Sequence, residues 1–527
     1  MSIEQFLLTL FLSTLCIVAG GQKIAVLAND RDSTQGTEDS LATSLTSFTS
    51  SPSPPSATEI SSNTTPSGAM TPPLPPARKV CDICNCTGEL IDCSGLGLES
   101  NLKDNQWPRS QVRVVTFEKN NLIRLQPFAN ATIEKLILRH NRILRIEQRA
   151  FYNIKRLFEI DLSHNELISQ FFTSDVFEGP FSAVVDEPLK ALKVLNLAWN
   201  DLHSLKQDLF KHVMGIRILD LSGNPLRVID HPTSLAISSL PSLERLDLSN
   251  CQLSDLPDHI FHAPRSLKAL RLAGNEFERL PLALDDAKGL QSLILDDNPI
   301  ELIEQIHGFP VLPALTELSL CGMPDLTEIG KNAMSGLSSL ERLSICHNPK
   351  LTKIHELTLG KETSKGRIWP PLKQLDLSDN ALRYLPSLLV GRWDKLEEMD
   401  LTNNQWSCDC DNQYLIGKLL PENGKKWMKE EELEGLRCSG PPEHMGKNLS
   451  SLSHRHLRCP DLYGARPEKD AAILVGMLIG LLVAIPLALA LFVLWRRGFF
   501  FCGPQGPAAF SRAFYKRTSN NDDDQMY

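Results

Sequence analysis

The sequence predicts an α/β solenoid with disulfide caps and one transmembrane helix. Three observations carry this reading. A leucine-patterned motif recurs twelve times through the centre of the chain. Cysteine clusters flank the recurrences on both sides. An uncharged apolar run lies near the carboxyl end. At 527 residues there is room for two to four domains. The composition is that of a folded protein, 42% hydrophobic and 22% charged. A net charge of −9 and the lack of a Lys/Arg stripe interleaved with aromatics argue against a nucleic-acid partner.

In chain order, residues 1–21 read as a secretory signal. Phe6–Val18 has the length of its apolar core, and Ala19, Gly20 and Gly21 are small enough for cleavage, although the start carries Glu4 and no Lys or Arg. A signal anchor is the alternative, but the run is too short to span a bilayer comfortably. Residues 22–80 form a Ser/Thr/Pro-rich arm with too few large apolar residues to offset ordering entropy. Its composition fits an O-glycosylated stalk and equally a flexible spacer.

Residues 81–110 form an amino-terminal cysteine cap with Cys81, Cys84, Cys86 and Cys93. Residues 111–405 hold the repeats, on the template L-x-x-L-x-L-x-x-N-x-L. Leu157, Ile160, Leu162, Asn165 and Leu167 fit it, as do Leu372, Leu375, Leu377, Asn380 and Leu382. The marker position falls at Asn120, Asn141, Asn165, Asn200, Asn224, Cys251, Asn275, Asn298, Met323, Asn348, Asn380 and Asn404. Most intervals are 21–27 residues; those ending at Asn200 and Asn380 are 35 and 32, which makes room for insertions at 171–188 and 355–371.

One such leucine-rich repeat cannot bury its own leucines, so neighbours stack into a continuous core. The L-x-L segment forms a short strand, and successive strands pair in parallel along one face. The Asn amide at the turn satisfies backbone groups that would otherwise be buried unpaired. Phe151, Phe210 and Phe261 each follow their marker by 10 residues and predict a phenylalanine spine on the opposite side.

Residues 406–460 form the carboxyl-terminal cap, with Cys408, Cys410, Cys438 and Cys459. Four cysteines allow three connectivities in each cap. Zinc is the alternative for Cys81-x-x-Cys84, but the secretory context and the lack of suitably spaced histidines favour disulfides. From about Cys81 to Pro460 the arrangement resembles the cysteine-flanked leucine-rich-repeat surface proteins, which include Toll-type receptors, Slit proteins and trophoblast glycoprotein. The resemblance implies a horseshoe with a parallel concave sheet. It also implies the pairs Cys81–Cys86, Cys84–Cys93, Cys408–Cys438 and Cys410–Cys459. The first spacing is two residues, where the family more often has three. Independently, Cys321 and Cys346 occupy one repeat position a single repeat apart, which places them on adjacent strands about 4.8 Å apart, within disulfide reach. Two free surface thiols are the alternative. Cys251 takes the marker position as a buried free thiol.

A linker at 461–470 leads into the span, 471–495, which is 25 residues without a charge; a spanning helix needs about 20. Arg496 and Arg497 follow it, which puts the tail, 496–527, in the cytoplasm of a type I plasma-membrane protein. Gly476 and Gly480 form G-x-x-x-G, a motif for homodimer contact, and Cys502 is a palmitoylation candidate. Sequons stand at Asn63, Asn85, Asn130 and Asn448.

No catalytic motif, cofactor signature or metal-ligand set emerges, and the tail is too short for a folded catalytic domain. The reading is a non-enzymatic protein that recognises extracellular or cell-surface proteins, as an adhesion or ligand-binding receptor. The alternative is a cis-acting regulator of a secreted ligand or another receptor. The candidate ligand-binding residues are Arg139, His140, Phe158, His164 and Trp199, outward-facing on the strands near the amino end. An acidic row, Asp161, Asp220, Asp247, Asp376 and Asp400, and the two insertions are alternative sites.

Overall fold

Alternating apolar residues make short half-buried strands, and twelve of these set the architecture. The computed structural model describes residues 78–108, 112–179, 189–390, 396–459 and 467–497. The signal segment, the arm to residue 77, Asn63 and Cys502 lie outside the described residues. Twelve three-residue strands, from Val114–Thr116 to Glu398–Asp400, pair in parallel in chain order. The antiparallel hairpin Asn85–Thr87 and Leu90–Asp92 from the amino-terminal cap starts the same sheet, making it fourteen-stranded. Equivalent residues meet in register: Leu136 pairs with Ile160, Leu246 with Leu270 and Leu375 with Met399. The central residue of each strand points into the core and is buried.

The turn after each strand carries the asparagine ladder. The Asn141 amide nitrogen donates to the Leu138 carbonyl of its own repeat at 3.0 Å and to the Phe117 carbonyl of the preceding repeat at 2.8 Å. Its oxygen accepts the Leu122 amide at 3.2 Å. The same three-way contact recurs at Asn165, Asn224 and Asn298. Two positions have no asparagine. The Cys251 thiol donates one bond to the Leu221 carbonyl at 3.3 Å, and Met323 is fully buried with no donor to offer. Two residues before Met323, Cys321 is bonded to Cys346, with Cα atoms 4.4 Å apart, so the repeat without a ladder amide is tied covalently to the next one.

The residue before each ladder position has positive φ in all twelve repeats, from Lys119 at 56° to Asn403 at 54°. The chain turns off the sheet three residues past each strand end, and the left-handed region provides that turn. Gly223, Gly274 and Gly322 adopt it freely. Asn250, Asp297 and Asp379 are among the better-suited side chains; Trp199 is not.

The phenylalanine spine differs from the expected one. Phe128, Phe151 and Phe177 stack, with ring centroids 6.4 and 5.9 Å apart. Phe210 and Phe261 are buried but extend no such stack. A fixed ten-residue offset misses Phe128 and Phe177 because the segments that return from the strand vary in length. Phe177 comes from the first insertion, in the 3-10 turn Ser174–Phe177, so part of that loop is core. The second insertion instead projects an antiparallel hairpin, Lys361–Thr363 with Gly366–Ile368, whose residues are mostly exposed.

The ends of the core are covered. Cys81–Cys86 and Cys84–Cys93 brace the first cap, where Val80, Cys84 and Cys93 are buried. Cys408–Cys438 and Cys410–Cys459 brace the second. There Trp406 donates its indole hydrogen to the Leu401 carbonyl at 2.9 Å, and Trp427 donates to the Leu396 carbonyl at 2.7 Å. Cys251 is a buried free thiol whose pKa burial pushes up to about 12. Beyond the cap, Pro467–Arg496 is helical. Its stretch Ala471–Arg496, whose mean hydropathy reaches 2.9 over an 18-residue window, is long and apolar enough to cross a membrane.

Asn224→Ala is expected to lower stability by ~2–4 kcal/mol, because it leaves the buried Leu197 and Leu221 carbonyls without their shared donor. Chemical unfolding measures it. Asn404→Ala, at the half-buried end of the ladder, should cost less. Equal losses at both positions would show that ladder burial is not the source.

Candidate recognition surface

The left-handed residue of each repeat lifts its side chain onto the rim beyond the strands, where successive repeats lay these side chains in file. At the amino end the file is Lys119, His140, His164, Trp199 and Gly223. The His140 and His164 rings stack at 4.4 Å with an 18° tilt, and His164 lies 5.8 Å from Trp199 at 4°. Beyond the indole stands Gly223, where a Cβ would come within 2.5 Å of the Trp199 ring. Trp199 is thus held between an imidazole and a glycine, yet remains 49% exposed. A bulky residue in the left-handed region costs on the order of 1–3 kcal/mol and persists where its surroundings over-determine it. His164, Trp199 and Gly223, with Leu144, Glu166 and Ile168, line an open groove of about 670 Å³.

Arg139 stands beside this file. It pairs with Glu118 at 2.8 Å, and Lys119 reaches the same carboxylate at 3.0 Å. The Arg139 hydrogen bond, reinforced by Lys119, lowers the Glu118 pKa. Partial burial, and then the neighbouring His140, push the His164 pKa down; Arg139 acts in the same sense and Asp161 against it.

Phe158 lies elsewhere. It precedes the strand Glu159–Asp161, whereas His164 follows it, so about 10 Å of strand separates the two rims. The five candidate residues are therefore not one cluster: the structure gathers Arg139, His140, His164 and Trp199 on one rim and leaves Phe158 on the other. There Phe158 is 49% exposed and borders a depression of about 510 Å³ with Leu90, Arg113, Val114, Glu134 and Lys135. Arg113 bridges Glu89 and Glu134 at 3.5 and 3.0 Å, and Lys135 pairs with Glu159 at 2.8 Å. Phe158 is thus an apolar patch framed by neutralised charge.

The acidic row has a structural task instead. Each of Asp161, Asp220, Asp247, Asp376 and Asp400 accepts the backbone N–H two residues on, and all but Asp247 also accept that residue's hydroxyl, at 2.6–3.0 Å. These carboxylates shape the turn into the left-handed position. Burial raises the Asp220 pKa against its Ser222 bonds. Among the described residues no group of His, Cys, Asp or Glu is arranged to hold a metal, and all four amino-terminal cap cysteines are spent in disulfides.

Asn85 and Asn130 are exposed. Asn448 is half-buried and caps the turn Leu449–Leu452, its amide nitrogen donating to the Leu433 and Glu434 carbonyls at 3.3 and 2.7 Å. A glycan on that nitrogen has to displace at least one of these bonds. Sequence reasoning passed over Gly223, although the Gly-Asn pairs at 223–224 and 274–275 were a usable sign of a left-handed residue before the ladder.

A leucine-rich-repeat family model matches residues 131–179 and 241–300, and a two-copy repeat model matches 215–260. Mouse podocan-like protein 1 is 28% identical over 48% of this chain and 42% of its own length. A transforming growth factor beta activator, LRRC32 of Pongo abelii, is 28% identical over 56% of this chain and 50% of its own. The chain thus spans half the length or less of these curated relatives. The crystal structure of human trophoblast glycoprotein superposes on 49% of this chain and 92% of its own, with 22% identity and a TM-score of 0.37. The chain carries leucine-rich repeats, and no catalytic family is indicated.

Two outcomes are expected. Gly223→Ala displaces the indole, so the Trp199 contribution to fluorescence changes; an unchanged spectrum would rule out the packing described. In an NMR titration His164 takes its proton below the ordinary histidine value of about 6.5, and its midpoint rises in His140→Ala. As pH falls below about 6.5 the unfolded chain binds that proton first. The stability contributed by neutral His164 is then lost progressively, and the loss ends below its folded pKa.

Proposed function

We propose that this leucine-rich-repeat chain is a type I single-pass protein of the plasma membrane that recognises extracellular or cell-surface proteins, as an adhesion or ligand-binding receptor without catalytic activity. The observation that carries the reading is the ordered, half-exposed Trp199, held in its stack beside Arg139 at the amino-terminal end of the sheet. Rigid aromatic side chains and arginine are the residue types that dominate interface energetics, because little entropy is lost when they are covered. Phe158 supplies a second anchor across the sheet, so a partner lying over the strands touches both rims.

On this reading residues 1–21 are removed as a signal, 22–80 form a Ser/Thr/Pro-rich arm, and 471–495 cross the bilayer with 496–527 inside. Asn85 and Asn130 are the sequons best placed for glycans. Gly476 and Gly480 offer a close-approach stripe for a second copy, and Cys502 is a site for acylation. A relative named for activating transforming growth factor beta favours a second reading, in which the same surface regulates a ligand or receptor in cis.

Cells displaying the full chain are expected to capture a protein partner from medium or from other cells. Trp199→Ala and Phe158→Ala should each weaken capture about tenfold or more, as substitutions at interface anchors do. Aggregation of expressing cells supports adhesion; capture of a secreted protein without aggregation supports the cis reading. Capture unaffected by both substitutions would remove this surface from the mechanism.

A further inference from the structure

The carboxyl-terminal cap, 406–460, balances eight Lys and Arg against eight Asp and Glu, but the two signs are segregated and its last segment is positive. Between Leu436 and Cys459 there are four permanent cations, Arg437, Lys447, Arg455 and Arg458, against one carboxylate, Glu443, which leaves +3 with the histidines neutral. All four cations are exposed. Arg437 and Lys447 donate to the backbone carbonyls of Gly446 and Glu443, and none of the four forms an ion pair among the described residues.

The densest part is His454-Arg455-His456-Leu457-Arg458, and it is pinned in place. Gln413 grips it twice, donating to the Arg455 carbonyl at 3.2 Å and accepting the Leu457 amide at 2.8 Å. The Cys410 amide donates to the Arg458 carbonyl at 3.3 Å, and the next residue, Cys459, is bonded to Cys410. Leu457 is buried, whereas His454, Arg455, His456 and Arg458 all face solvent. Arg437 and Lys447 stand on two segments that pair with each other: the Arg437 backbone bridges Asn448, and the Cys438 amide donates to the Lys447 carbonyl.

We propose that the exposed cations of this last cap segment, centred on the pinned stretch 454–458, form a second binding site, separate from the sheet rims, and that its ligand is an anionic polysaccharide bearing sulfate or carboxylate groups. The chemistry favours a flexible polyanion over the other negatively charged surfaces. Residues 454–458 expose no apolar side chain, and Met445 is the single exposed large apolar residue of 436–459, too little for the anchor that a protein interface or partition into a lipid surface draws on. A polyanion needs only spaced cations, and it gains by releasing its own condensed counter-ions. Backbone pinning lowers the entropy that such a contact costs. The inference does not rest on the recognition surface proposed above.

The test uses the full-length chain in zwitterionic lipid nanodiscs and immobilised heparin, a sulfated polysaccharide, as the probe. Retention by heparin but not by neutral dextran is expected, with affinity falling steeply and linearly on a log–log plot against salt. Arg455→Ser with Arg458→Ser should weaken retention about tenfold and flatten the salt slope, while Arg455→Lys with Arg458→Lys retains it. Arg437→Ser with Lys447→Ser, away from the Gln413 clamp, provides the same reading should the first pair unfold the cap. Lys331→Ser with Lys365→Ser, exposed positions in the repeats, should leave retention unchanged. The proposal fails if wild type is not retained above dextran, if folded serine variants bind as well as wild type, if the repeat-lysine variant loses as much, or if phosphatidylserine vesicles capture the protein while heparin does not.

Discussion

A buried backbone at the end of a strand leaves carbonyl and amide groups that water cannot reach, and the structure is organised around one side chain that serves them. The ladder asparagine spans two repeats, giving hydrogen to a carbonyl in each and taking an amide hydrogen from the earlier one. Because the contact is shared, it couples each repeat to its neighbour in a structure that otherwise holds together only by stacking. It also fixes what comes before it. The amide can reach inward only if the preceding residue reverses the chain, so that residue is left-handed in every repeat. The strand-end aspartates support the same reversal, which gives the row of carboxylates on the sheet a structural task.

The recognition surface is a by-product of that constraint. Side chains at the reversal are raised from the sheet and stacked at the spacing of the solenoid. Where they are Gly, Asn or Asp the rim is low and polar. Where they are His140, His164 and Trp199 the rim rises into an aromatic wall, supported on one side by Gly223. On the opposite rim the cross-strand charges neutralise one another, so the unpaired feature is Phe158. Surface pairs such as Arg113 with Glu134 contribute little stability, but they leave the apolar residue as the part of the rim with most to gain from being covered.

The two caps share the task of closing an apolar core and differ in electrostatics. The first cap joins the sheet as a hairpin, and its outward face belongs to the same depression as Phe158. The second seals the core with Trp406 and Trp427 and carries a concentrated positive face on a segment held by Gln413 and a disulfide. The cystine at Cys321 and Cys346 ties the repeat of Met323, which has no ladder amide, to the repeat that follows.

Much of this was open to reading in the amino-acid order, because the repeat period and the leucine alternation are local patterns with one stable solution. The twelve repeat strands, their parallel order, the ladder positions, the adjacency of Cys321 and Cys346, and a helix of membrane-spanning length follow from spacing and composition alone; the two cap strands that make the sheet fourteen-stranded do not. What the order of residues did not determine is how side chains distant in sequence lie against one another. The grouping of His140, His164 and Trp199 depends on the rise from repeat to repeat. The separation of Phe158 depends on which end of a three-residue strand it occupies, and the Phe128–Phe151–Phe177 stack on return segments of unequal length. The demotion of the aspartates depends on turn geometry two residues away. Those relations are set by packing, where one ångström decides whether a ring is stacked or free, and only the tertiary structure resolves them.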